Sequence, residues 1–302
     1  LAQIAQATTG LHVIHGSRLE SATVGNQAFE DVMRSTVPGI YLIILALLLV
    51  TARFLLRRQG LWLTFTLVGL FVAALLFTFG RALWGATVMG MLIVGLTLGV
   101  GRLLKVGAMM AIVGAIALAG VAAFKPQTAE TMVERALSVS DEGGSRTSLG
   151  WRFEENRYAW ERIKGAPILG LGLGGVYKPQ VFQRGWEGES RSLHNANVAI
   201  PLKLGFLGAG ILVWLLWRYM IESVRLRRRP GVDDQDRAML VAVGTILPMM
   251  VITANIRPEW VDAGSVCVIS LGLGLMAALR NVLPPEPANA DGKVRRAARP
   301  WQ

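Results

Sequence analysis

His194 is the residue of this chain whose chemistry is easiest to place. It stands in Arg191-Ser-Leu-His194-Asn195-Ala-Asn197, directly before an apolar run. Imidazole takes up a proton near neutral pH, which suits general-base chemistry. The competing reading is a polar residue at a helix start, with Asn195 or Asn197 as the cap. Arg81 lies in Phe79-Gly80-Arg81-Ala82-Leu83-Trp84, between two apolar runs that leave almost no loop. An ionisable group so close to a bilayer is a functional candidate, against the alternative of an arginine snorkelling to headgroups. Arg152 opens WRFEENRYAWERIK, a stretch of helical character over 151–164. Guanidinium is well matched to bidentate phosphate contacts, although a solvated helix-face charge reads the same way.

Other patterns carry less. His12 and His15 are spaced as a metal pair, but no further ligand accompanies them. Gly170-Leu-Gly-Leu-Gly-Leu-Gly-Gly175 looks like a dinucleotide loop and lacks the strand and helix that would frame one. Glu154, Glu155 and Glu161 could be paired carboxylates. At helical spacing they are instead expected to balance Arg157, Arg162 and Lys164. In the same helix Phe153, Trp160 and Ile163 form a rough apolar face. Gly165-Ala-Pro167 should end it. The one cysteine, Cys267, allows no disulfide within the chain.

The elements that must position these residues are membrane helices. The 302 residues are 53% hydrophobic and only 17% charged, with a mean hydropathy of +0.46. The charges are clumped between uncharged apolar runs of bilayer length. Seven spans are expected, at 38–52, 61–79, 82–100, 106–124, 198–217, 238–254 and 261–279. Lys and Arg crowd alternate loops: Arg53, Arg57 and Arg58; Arg102 and Lys105; Arg218 and Arg225 to Arg237; and Arg280 onward. The short loops opposite hold Arg81 and Arg257. By the positive-inside rule the basic side is cytoplasmic. The net charge of +11 is then a topology signal and not a nucleic-acid footprint.

The expected organisation is an all-α integral membrane protein. Residues 1–36 form an extracytoplasmic segment, 37–124 hold four spans and 125–197 an extracytoplasmic catalytic loop. Residues 198–280 hold three spans, and 281–302 are a disordered cytoplasmic tail. The chain starts at Leu1 with no basic n-region and apolar stretch, so upstream helices are expected to be missing. A loop of about 70 residues is unusual unless functional or disordered. The Gly-rich stretch inside it is permissive backbone.

The order of these motifs resembles the O-antigen ligase and polysaccharide polymerase family. It runs from FGRALWG through Arg152, then Pro167 opening PILGLGLGG, then LHN and Lys203-Leu-Gly-Phe-Leu-Gly, over roughly residues 35–280. The family pattern often has Trp four residues after the loop arginine, where this chain has Asn156, so Arg157 rivals Arg152 for the match. It usually has Ser where this chain has Gly80.

The resemblance implies a bacterial inner-membrane, multi-pass glycosyltransferase with its active site facing the periplasm. The donor would be an undecaprenyl-pyrophosphate-linked glycan. The acceptor would be lipid A core for a ligase, or a second lipid-linked glycan for a polymerase, with ligase favoured. Arg81, Arg152 and Arg191 would hold the pyrophosphate, supported by Arg157, Lys178 and Asn195. His194 would be the general base of a metal-independent, inverting reaction without a cofactor. Two other classes stay open. A transporter or flippase for lipid-linked glycans would need charged groups at mid-span, and a structural or sensory membrane protein would tolerate replacement of all three residues.

Overall fold

A computed structural model describes residues 2–9, 11, 18–24, 27–36, 39–56, 59–137, 148–177, 193–255, 257 and 263–283. The fold is helical and of integral-membrane type. Five helices are long and apolar enough to cross a bilayer: α4 (Arg81–Leu98), α5 (Val100–Phe124), α8 (Ala196–Arg227), α9 (Asp234–Thr253) and α10 (Ala263–Val282). Two shorter apolar helices, α2 (Ile40–Leu55) and α3 (Leu61–Leu76), complete the seven hydrophobic segments.

Helices α2 and α9 sit at the centre of the bundle. α2 packs on α9, α3, α4 and α10, while α9 also meets α4, α8 and α10. Ile44, Leu47 and Leu48 from α2 and Leu240, Met249 and Met250 from α9 are buried in one core. Gly90 of α4 lies against Leu48 and Met249, so a small residue there sets the helix separation. α5 is peripheral, with Leu104, Ile112 and Ile116 exposed as a lipid-facing flank would be.

Several boundaries differ from the sequence expectation. The fourth span starts at Val100, and Gly99, at φ 125°, makes a one-residue reversal between α4 and α5. Arg102 and Lys105 therefore belong to a helix and not to a loop. The reversal is tight: a Cβ at Gly95 would meet the Leu103 backbone at 3.1 Å. The segment before the first span holds more than irregular chain. α1 (Ala2–Thr9) is followed by an antiparallel hairpin of β1 (Arg18–Val24) and β2 (Gln27–Thr36), with a bulge between Ser21 and Ala22. No strand was expected there, because the segment shows no sustained apolar–polar alternation. α6 (Pro126–Leu137) is a further helix that the sequence reading left within the long loop.

These additions gather at one end of the bundle. Gln3 donates its side-chain N–H to the Ala74 carbonyl at the end of α3 (2.9 Å). Ala7, Phe77, Phe79 and Met132 share a small core with Trp84 at the edge, and α6 meets both hairpin strands. This is the end at which α3 turns into α4, and so the end that carries Arg81.

Candidate active site

The long loop is organised around α7 (Ser148–Gly165), which packs on α8. Its buried stripe is Glu155, Ala159 and Ile163, spaced four apart on one helix face. Ala159 and Ile163 join Tyr177, Leu193, Ala199 and Leu202 in a separate core. Of the expected apolar face, Ile163 is buried, while Phe153 is 71% and Trp160 44% exposed. The aromatic residues point away from α8, as an interfacial helix would aim them toward headgroups. What the stripe places against α8 at its upper end is a carboxylate.

That carboxylate holds His194. Glu155 is 4% exposed, and its Oε2 lies 2.9 Å from His194 Nδ1. The expectation that Glu155 balances Arg157, Arg162 or Lys164 is corrected: among the described residues, the ion pair within α7 is that of Glu161 with Lys164 at 2.9 Å. A carboxylate acceptor makes Nδ1 the protonated nitrogen and leaves the Nε2 lone pair open. The His194 side chain is 52% exposed, so the open nitrogen can be reached.

The segment carrying His194 is firmly anchored. Asn195 is the N-cap of α8, its side chain accepting from Val198 N–H at 3.2 Å. The Ala196 N–H donates to the carbonyls of Ala254 (2.7 Å) and Arg257 (3.3 Å). Asn197 donates to the Val251 carbonyl of α9 at 3.0 Å. Asn195 and Asn197 thus account for the helix start, which leaves His194 as the neighbour they position.

Arginines converge on the same place. Burial is the main influence on Arg152, lowering its affinity for the proton; Glu155 opposes that effect and Arg257 reinforces it. Arg81, the first residue of α4, lies within electrostatic reach of Arg152. Arg81 and Arg257, from distant segments, each lie within electrostatic reach of Arg152, which in turn lies within reach of Glu155. Arg257 had been noted only for loop topology. Its one sequence signal was its place on the charge-poor side. Arg157 is exposed, its guanidinium 6.0 Å from the centroid of the Tyr158 ring, so Arg152 is the α7 arginine near the pair. Lys178, Arg191, His12 and His15 lie outside the described residues. Among the described residues no group of three or more His, Cys, Asp or Glu is assembled as a metal site.

The Gly-rich stretch has a structural partner. Helix α8 is broken at Gly205 (φ 65°, ψ −179°), which frees backbone groups on both sides of the break. Leu171 N–H donates to the Leu202 carbonyl (2.8 Å) and Gly172 N–H to the Lys203 carbonyl (3.0 Å). In return, Phe206 N–H donates to the Pro167 carbonyl (2.7 Å) and Leu207 N–H to that of Ile168 (3.3 Å). The loop replaces the hydrogen bonds that the helix loses. Two glycines make the approach possible. A Cβ on Gly170 would lie 2.5 Å from Gly205 N, and one on Gly205 would lie 2.0 Å from the Ile168 oxygen. Buried Lys203 caps the arrangement, its Nζ donating to the Gly175 carbonyl. The close approach that Gly170 allows is made to the α8 backbone.

A model of the O-antigen ligase family matches residues 44–213, more than half of the chain. The match takes in Arg81, Arg152, Glu155, His194 and the broken start of α8. The comparison with curated proteins returned no match. The family match over more than half of the chain agrees with the bundle of apolar helices, and the chain belongs to the O-antigen ligase family, as a multi-pass membrane glycosyltransferase of ligase type.

Proposed function

We propose that this protein transfers a glycan from undecaprenyl pyrophosphate to a hydroxyl of lipid A core, on the periplasmic face of the inner membrane. The observation that carries this reading is the half-exposed His194, bound through Nδ1 to Glu155, which is itself within electrostatic reach of Arg152. The acceptor oxygen attacks the anomeric carbon while its proton passes to His194 Nε2. The bond from that carbon to the pyrophosphate oxygen breaks, the electron pair leaves with the pyrophosphate, and the configuration inverts.

Charge grows on the leaving group, and Arg81 and Arg152 are placed to stabilise it without reorganising. Their positions support an anionic ligand. Both lie in or near the first turn of a helix, α4 and α7 respectively. A cation there is disfavoured by the helix dipole, and an anion bound between them reverses that cost. The stabilisation comes from guanidinium groups and calls for no metal ion.

The test is glycan transfer by the full-length protein in membranes supplied with a lipid-pyrophosphate donor. Products are scored on core lipid and on lipid carrier. Product on core lipid supports the ligase reading. Product confined to the lipid carrier would make the protein a polymerase, and no product from a competent donor would reopen the transport reading.

A further inference from the structure

We propose that Glu155 is the positioning residue of the reaction: it fixes the tautomer of His194 and stabilises the imidazolium that forms as the acceptor proton is taken. This rests on the general-base reading of His194 and extends it by giving Glu155 a role in the reaction.

Three observations carry the proposal. The first is geometry. Glu155 Oε2 and His194 Nδ1 are 2.9 Å apart across 39 positions of sequence, joining α7 to the residue before the α8 cap. The second is burial. Glu155 is 4% exposed in a stripe that otherwise continues as Ala159 and Ile163. A buried carboxylate is costly unless its charge is used, and alanine would fill this helix position without that cost. The third is access. The buried carboxylate, with Oε2 already engaged, is poorly placed to meet an acceptor sugar. The half-exposed imidazole presents Nε2. A carboxylate that orients an imidazole and does not itself take the proton is a known division of labour.

Glu155 also acts on Arg152, one helical turn before it. This gives the proposal a sign that mere packing would not share. Removing the carboxylate charge weakens the base but leaves the arginine cluster more positive. Binding of the anionic donor should hold or tighten while turnover falls.

The experiment measures kcat and the donor KM for glycan transfer by the full-length protein carrying Glu155→Gln, Glu155→Asp or His194→Ala, and by the Glu155→Gln/His194→Ala double variant. For Glu155→Gln we expect kcat to fall about 10- to 100-fold, with the donor KM unchanged or lower. Glu155→Asp should recover part of the loss. On the His194→Ala background, Glu155→Gln should cost less than about threefold more, because residues acting as a unit are not additive.

Wild-type turnover by Glu155→Gln alongside an inactive His194→Ala would overturn the proposal and leave the base assignment standing. So would fully additive losses, or a loss expressed only as a raised donor KM. Failure of both Glu155 variants to accumulate in the membrane would make the residue a packing element and likewise overturn it. Normal transfer by His194→Ala would remove the base assignment, and the role of Glu155 with it.

Discussion

At the scale of the residue, the proposed base stands beside groups that fix the chain around it. Asn195 caps α8 and Asn197 ties it to α9, while His194 precedes the cap. Replacing His194 with Ala or Asn should lower transfer by about 10²- to 10⁴-fold, the usual contribution of a general base, with normal accumulation in the membrane. Wild-type rates in both variants would return His194 to a helix-start role. The arginines make a different prediction. Arg152→Ala should cost about 10²- to 10³-fold in kcat. Arg152→Lys should recover only part, because an ammonium keeps the charge and loses the planar fork. Arg257 shares the electrostatic environment of Arg152, so Arg257→Ala should also reduce kcat, by about tenfold. An unchanged rate would confine Arg257 to closing the α8 start through its carbonyl.

At the scale of the element, the broken α8 and the glycine stretch form one unit. The exchange of backbone hydrogen bonds between 167–172 and 202–207 makes each segment the completion of the other. Gly205→Ala should therefore destabilise the fold strongly. It adds left-handed strain of about 1–3 kcal/mol to an overlap with the Ile168 carbonyl. Gly172→Ala has the same kind of backbone, with φ 78°, but open space around it. It should cost only the conformational penalty of about 1–2 kcal/mol. Thermal unfolding midpoints in detergent compare the two directly, and equal shifts would mean that the close approach at Gly205 does not matter. His194 and Lys203 both lie within this unit or beside it, so a loss of activity in Gly205→Ala is expected to follow the loss of fold.

At the scale of the whole molecule, Arg81, α1, the hairpin and α6 share one end of the bundle, and the turn between α8 and α9, with Arg228 and Arg229, lies at the other. With a periplasmic site, Glu161→Cys in a Cys267→Ser background should react with a membrane-impermeant thiol reagent added to spheroplasts. Arg228→Cys should react only after permeabilisation. The reverse pattern would put the site on the cytoplasmic face.

The amino-acid sequence by itself determined the membrane class and the seven apolar segments. Uninterrupted apolar runs have no other stable environment. It also singled out His194, Arg81 and Arg152, because ionisable groups are rare and costly beside a bilayer. The position of Gly165-Ala-Pro167 ended α7 as local backbone sterics demand. Only the tertiary structure decided which carboxylate meets His194. Glu154, Glu155 and Glu161 are chemically equivalent as letters, and only the packing of α7 on α8 buries Glu155 against an imidazole 39 residues away. The same holds for Arg257, brought to the site by the return of α9. It holds for the glycine stretch too: Pro201 and Gly205 mark a weak point of α8, but its pairing with 167–172 is set only by packing. Local composition encodes solvent preference and backbone freedom, while partnerships across long sequence separations arise only when helices pack.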